Sequence, residues 1–299
     1  MNNQDKVAVC SRSFSKNKML RKILLEKYSK VKFNDNGLSL NGDSLIDFIK
    51  GYEKIIIGLE KITPLVLDAS PNLKVVSKYG VGTDNLDLKA MKDCNVKLGW
   101  KGGVNKRSVS EMALCLMLMM IRRLNEAVYD VKAGNWDQVK GNLLSNKTIG
   151  ILGFGNIGLD LYKLLSPFEC NFLIYDELDI KNNASNLRQV SLDEVLMSSD
   201  IVSIHLPFNE HTENLIDINK LSLMKESSFM INLSRGGIVI EKDLKRVLEN
   251  KTIAGAAMDV FKIEPPQDKH LISLENFVAT PHMGGISQEG ILDMGIAAI

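Results

Sequence analysis

Arg235, Glu264 and His282 each follow a short apolar run: Asn232-Leu-Ser-Arg235-Gly-Gly, Gly255-Ala-Ala-Met-Asp259-Val-Phe-Lys-Ile-Glu264-Pro-Pro and Ala279-Thr-Pro-His282-Met-Gly-Gly. An arginine offers a planar bidentate fork to a carboxylate or a carbonyl oxygen, which a lysine cannot copy. A histidine can give or take one proton near neutrality. A glutamate hydrogen-bonded to that imidazole orients the ring and favours its charged form. Taken singly, the three read as a surface ion pair, a turn residue before Pro265 and a loop residue. Standing at the ends of three successive candidate strands, they can converge on one point and together bind an oxyanion and move a proton.

A second constellation lies upstream. Thr148-Ile-Gly-Ile-Leu-Gly153-Phe-Gly155-Asn-Ile-Gly158 runs from a buried strand through GxGxxG into a helical pattern. Gly153 permits the tight turn, Gly155 lets the backbone approach a pyrophosphate, and Gly158 lets helix and strand pack closely. The phosphates then meet the unpaired N–H groups of a helix N-terminus. The next apolar run ends at Tyr175-Asp176, where a carboxylate can accept hydrogen bonds from the adenosine ribose diol and repel the extra phosphate of NADP. With a dinucleotide loop upstream, the Arg, Glu and His fit hydride transfer between a nicotinamide and a 2-hydroxy or 2-oxo acid. There the cofactor carries the hydride and the protein holds the carboxylate, polarises the carbonyl and moves the proton.

The elements that must position these residues form two series. In the first, Val7 to Cys10, a basic amphipathic stretch near Asn17 to Lys30, Ile55 to Gly58 and Leu73 to Ser77 alternate as in a parallel sheet covered by helices. The glycine-rich turn Gly99 to Gly103 marks a boundary near residue 100. Ser108 with Glu111 fits a capping box opening a long helix to about Lys132. In the second series, strands are expected at 148–152, 171–175, 201–205, 229–233, 254–258 and 278–279, with helices at 156–166, 192–198, 219–224 and 241–250. Six such strands suit a doubly wound nucleotide-binding sheet.

Composition narrows the class of partner. The 299 residues carry 45% hydrophobic and 24% charged side chains with a net charge of +1, an ordinary globular balance. Residues 1–100 hold 17 Lys+Arg against 11 Asp+Glu. That excess is too mild for nucleic acid but enough to attract a small anion. Cysteines 10, 94, 115 and 170 form no CxxC pair and read as reduced thiols in a cytoplasm. The N-terminus lacks the long apolar core of a signal peptide. The longest apolar run, Met112 to Ile121, is too short to span a bilayer, and its methionines suit core filling. No metal site is expected.

The motif set resembles the D-isomer-specific 2-hydroxyacid dehydrogenase family, most of all its 3-phosphoglycerate dehydrogenase branch. Lys78-Tyr-Gly80-Val-Gly82-Thr-Asp84-Asn-Leu-Asp87 resembles the family's substrate loop, which implies that the amides around Gly80, Val81 and Gly82 hold the carboxylate. Asn105-Lys-Arg-Ser108-Val-Ser-Glu111 resembles the start of its interdomain helix. The resemblance implies that Arg235, Glu264 and His282 are catalytic. It further implies that Gly153, Gly155, Asn156, Ile157, Gly158, Asp176, Ser234 and Asp259 bind NAD, with Asp259 at the nicotinamide carboxamide. His205, Pro207 and Thr212 match the segment lining the adenine side; His205 alone would read as a structural histidine.

The expectation is two doubly wound α/β domains of Rossmann and flavodoxin type. Residues 1–99 plus 283–299 would hold the substrate and residues 100–282 would bind NAD, with a cleft between them that closes over a small 2-hydroxy or 2-oxo acid. The chain departs from the branch at Gly58-Leu-Glu60-Lys61, where an Arg-Ser pair is usual. Glu60 thus stands in place of a phosphate-binding Arg, and Lys61 is left as a point charge. Trp100, in a loop without the usual proline, is expected to reshape the substrate pocket. Residues 287–299, if helical, would span about 20 Å. They are expected to leave the nucleotide domain without laying a helix on the first domain. The hinge would then be loose, and a symmetric homodimer through the helix from Ser108 would cover apolar surface. A contrasting reading keeps the same fold as an NAD-sensing regulator, although a binding module needs no acid-base pair.

Overall fold

The computed structural model describes residues 3–182 and 184–299. They form two compact units: residues up to Asn105 together with Gln288–Ile299, and Lys106–Ser287.

The first unit is built on five parallel strands: β1 (Asn3–Val9), β2 (Tyr28–Phe33), β3 (Lys54–Ile57), β4 (Val75–Lys78) and β5 (Lys97–Gly99), in the order β2-β1-β3-β4-β5. This is the flavodoxin-like doubly wound order. Its inner strands are apolar because both faces are covered; Ile55, Ile56 and Ile57 are all buried. The helix Lys18–Lys27 starts on Asn17, whose side chain accepts from the N–H groups of Met19 and Leu20. It buries Leu20 and Leu24 and then ends, so the basic stretch is a helix followed by the edge strand β2 rather than one helix. Lys30 and Lys32 along that edge are the charges expected where a strand has a solvent flank.

The C-terminal segment corrects the expectation that it would lay nothing on the first unit. Helix Gln288–Ala298 packs there, with Met294 and Ala298 in the same core as Val7, Phe14, Leu20 and Leu24. Gly295 makes the approach possible, because a side chain at that position would overlap Leu20. The Ser77 hydroxyl donates to the Ala298 carbonyl at 2.6 Å.

The second unit holds seven parallel strands: β6 (Thr148–Leu152), β7 (Asn171–Tyr175), β8 (Leu187–Gln189), β9 (Ile201–Ile204), β10 (Phe229–Asn232), β11 (Gly255–Met258) and β12 (Phe277–Ala279). Their order is β12-β11-β10-β9-β6-β7-β8, so the chain reverses direction across the sheet between β6 and β9. Ligands bind outside the carboxyl ends of strands at such a switch point. The seventh strand, β8, was not expected from sequence: it is a three-residue edge strand whose Leu187 alone is fully buried.

The long helix expected from Ser108 to Lys132 is two helices, Lys106–Ile121 and Leu124–Lys132. Residues 141–142 dock on the first one's end: Asn142 donates to the Ile121 carbonyl at 2.8 Å, and Arg123 turns into the left-handed region. Ser108 is not the cap. It lies inside the first helix, and its hydroxyl donates to the Gly284 carbonyl at 2.8 Å. Met117 and Met120 fill the core between this helix and β10 and β11, as read from sequence.

Candidate active site

At the carboxyl end of β6, Gly153 adopts φ +92° and approaches the backbone of His205, which follows β9; a Cβ at Gly153 would lie 2.8 Å from the His205 carbonyl. Glycine alone tolerates both demands. Gly158 sits inside the first turn of helix Asn156–Leu165, where a Cβ would overlap the Gly153 carbonyl oxygen. Gly155 caps that helix with no side-chain hydrogen bond, and a Cβ there would meet open space. The helix therefore presents bare N–H groups beside an unobstructed backbone, with Asn156 exposed and Ile157 half-buried at its start. These features fit a pyrophosphate.

Asp176, beyond β7, is tied to the glycine loop. Its Oδ2 accepts from the Phe154 amide at 2.7 Å and its Oδ1 from the Leu178 amide at 3.0 Å, so it braces the glycine loop itself. Each oxygen keeps a second lone pair for a ligand hydroxyl. On the other side of the switch point, His205 Nε2 lies 2.9 Å from the Ser203 hydroxyl. Its Nδ1 is sealed from solvent without a partner among the described residues, and burial lowers the imidazole's pKa to about 4. Thr212 pins the following turn, donating to the Pro207 carbonyl at 2.6 Å and accepting from the Asn209 amide at 2.9 Å.

The three chemically suggestive residues of this unit stand at the carboxyl ends of β10, β11 and β12. Buried Asn232 shapes the first turn: its Oδ1 accepts from the Ser234 amide and hydroxyl, and its Nδ2 donates to the Arg235 carbonyl at 3.0 Å. The Arg235 guanidinium donates to the Ser234 carbonyl at 2.7 Å. Gly236 presses the turn onto the backbone of Phe261, so close that a side chain could not be accommodated. Phe261 in turn donates its amide to Glu264 Oε1 at 3.1 Å. The other oxygen, Oε2, lies 2.8 Å from His282 Nδ1. Both side chains remain partly open to solvent, 48% for His282 and 38% for Glu264.

His282 has φ +52°, an uncommon backbone for a residue with a side chain. Asp259 holds it there. Buried at 1% exposure, its carboxylate accepts from the Thr280 hydroxyl at 2.6 Å, the Met283 amide at 2.8 Å and the Gly284 amide at 2.7 Å. Asp259 thus anchors the loop that carries His282, a task its sequence context did not reveal. Asn232 and Thr280 were also missed, although a buried amide side chain closing an otherwise apolar strand is a readable signal.

In the first unit, Gly80, Val81 and Gly82 follow β4 in a partly exposed loop, with Gly80 at φ +144°. Among the described residues no hydrogen bond engages their N–H groups. The Trp100 indole donates to the Val81 carbonyl at 2.9 Å, so Trp100 braces this loop. Among the described residues there is no cluster of three or more metal-ligating side chains, and no helix is long and apolar enough to cross a membrane. All four cysteines are free.

A doubly wound sheet with a glycine loop at its switch point and an Arg, a Glu–His pair and a buried Asp at its next strand ends defines a class of dinucleotide-dependent oxidoreductase. Residues 114–284 match the model of the D-isomer specific 2-hydroxyacid dehydrogenase NAD binding domain, and the chain belongs to that family. It is therefore a member of the NAD-dependent 2-hydroxyacid dehydrogenases. Hydroxypyruvate reductase of Thermotoga maritima is 32% identical, covering 87% of each chain. D-3-phosphoglycerate dehydrogenase of Archaeoglobus fulgidus is 34% identical over 86% of this chain, which spans 50% of that longer protein. The structure of NAD-dependent formate dehydrogenase from Staphylococcus aureus in complex with NAD superposes with a TM-score of 0.83 at 28% identity, covering 98% of this chain and 93% of that one.

Proposed function

We propose that the protein interconverts a D-2-hydroxy acid and its 2-oxo acid, with Arg235, Glu264 and His282 as its catalytic residues. The nicotinamide, when bound, supplies or accepts the hydride. His282 gives its proton to the carbonyl oxygen in reduction and takes it back in oxidation. Glu264 accepts from Nδ1, which leaves Nε2 as the nitrogen that faces substrate. Arg235 polarises the carbonyl and steadies the oxyanion. The loop amides of Gly80, Val81 and Gly82 take the carboxylate. Gly153, Gly155, Asn156, Ile157 and Gly158 cradle the cofactor's phosphates, and Asp176 takes its ribose. His205, Pro207 and Thr212 line its adenine side, and Ser234 and Asp259 bound its nicotinamide end.

The observation that carries this reading is the 2.8 Å contact between Glu264 and an imidazole that remains half open to solvent. A module that only sensed NAD would have no use for it. Steady NADH oxidation by the purified protein with a panel of 2-oxo acids is the expected result. Tight NADH binding without turnover of any of them would instead favour the sensor. We further propose a cytoplasmic homodimer. Helix Leu124–Lys132 buries none of its residues and exposes Leu124, Val128, Tyr129 and Val131. Sedimentation should give twice the 33.3 kDa chain mass, and replacing Val128 and Tyr129 with Lys should yield monomers.

A further inference from the structure

Behind the Gly80–Gly82 loop, three polar side chains tie a knot that the proposed chemistry does not use. Lys78, the last residue of β4, is 6% exposed, and Glu60, in the turn after β3, is 8% exposed. Glu60 Oε2 accepts from the Gly58 amide at 2.6 Å. The Gly58 carbonyl accepts from the Lys78 ammonium and from the Asn85 side-chain amide. Lys78 also donates to Asn85 Oδ1 at 2.8 Å, and Asn85 Nδ2 donates to the Glu60 carbonyl at 2.6 Å. The Gly58 carbonyl is thereby clamped to residues flanking the loop on both sides, and the Gly58 amide to Glu60. The stem of Lys78 lies against the loop itself: a Cβ at Gly80 would come within 3.2 Å of its Cε.

A buried ammonium and a buried carboxylate are costly unless each is fully engaged. Here they are engaged beside backbone N–H groups that have no partner among the described residues. We propose that Lys78, Asn85 and Glu60 are positioning and specificity-determining residues for the carboxylate seat, and that they select an unphosphorylated 2-oxo acid. This rests on the reading that the chain turns over 2-oxo acids. Lys78 fixes the loop with its amides open to one carboxylate, and places a positive charge close beneath it. At least two of its three N–H donors are spent, on Gly58 and Asn85, so it is not arranged to grip a phosphate. Glu60 balances its charge, so the seat offers no net attraction to a second, doubly charged group. Lys61, next in the chain, lies exposed outside the knot.

The test compares hydroxypyruvate with phosphohydroxypyruvate in wild type, Lys78→Met, Asn85→Ala and Glu60→Gln, with NADH affinity followed by fluorescence. Wild type should favour hydroxypyruvate at least about tenfold in kcat/KM. Lys78→Met should raise the hydroxypyruvate KM about tenfold or more, with kcat within about threefold and NADH affinity unchanged. Glu60→Gln should narrow the preference at least about fivefold through the phosphorylated acid. A wild type that prefers phosphohydroxypyruvate, an unchanged ratio in Glu60→Gln, or an unchanged KM in Lys78→Met would overturn the assignment. Should Lys78→Met fail to fold, Asn85→Ala severs the knot without removing its charge and is read by the same KM criterion. Should wild type turn over neither acid, the functional reading is judged by the wider panel of 2-oxo acids and the knot with oxalate. A rise in wild-type melting temperature that is lost in Lys78→Met upholds it, and equal rises refute it.

Discussion

The glycine loop and the Glu264–His282 pair solve opposite problems. Around Gly153 and Gly158 the structure is made of backbone and depends on side chains being absent: a Cβ at either position collides with main-chain atoms. Around His282 it is made of side chains, half open to solvent, each held by a buried neighbour: Asn232 behind Arg235, Asp259 behind His282. Backbone cradles are specified by glycine spacing within one turn. Side-chain sites are specified by anchors many residues away, because only a folded sheet brings β10, β11 and β12 side by side.

If that contrast holds, damage to the two regions should be separable. The largest effect should come from His282→Ala, lowering kcat by about 10²- to 10⁴-fold, while NADH affinity, read by fluorescence titration, changes less than about twofold because the cradle is intact. A parallel loss of NADH binding would mean that the two regions are one. Gly158→Ala should do the reverse. Overpacking at a backbone contact costs typically 1–3 kcal/mol, so NADH affinity should drop at least about tenfold, with the remaining turnover at saturation little changed.

A third measurement probes His205, whose backbone Gly153 approaches. His205, lowered to about 4 by burial, stays neutral in the folded protein while the unfolded chain takes up a proton below about 6.5. Its contribution is fully present above pH 6.5 and should be lost as pH falls toward 4, on the order of 3 kcal/mol. Urea denaturation of His205→Gln should lack that part of the pH dependence; an identical profile would place the titration elsewhere. The smallest effect concerns Asp176. NAD should be preferred over NADP by at least about tenfold, or 1.4 kcal/mol, and Asp176→Ala should narrow the ratio. Since Asp176 also braces Phe154, the variant should raise the KM for NADH as well.

What could be read from the chain alone follows from where burial is complete. Inner strands such as Ile201–Ile204 and Phe229–Asn232 are covered on both faces, and continuous apolar runs announce them. Three edge strands, Tyr28–Phe33, Lys97–Gly99 and Leu187–Gln189, escaped notice because a half-solvated strand carries polar residues and can be very short. The glycine loop was readable for the same local reason: its requirement is conformational and its residues are contiguous. The motif order, too, was enough to place the chain in its family.

Tertiary structure alone decided the rest. Asp259 proved to be the anchor of the His282 loop, Ser108 a tie to Gly284 instead of a cap, and Gly295 the contact that seats the last helix on Leu20. Each of these depends on a partner distant in the chain, and no local pattern encodes such a partner. A buried polar or close-packed residue takes its role from whatever the fold lays against it, since there it must find a hydrogen bond or a matching surface.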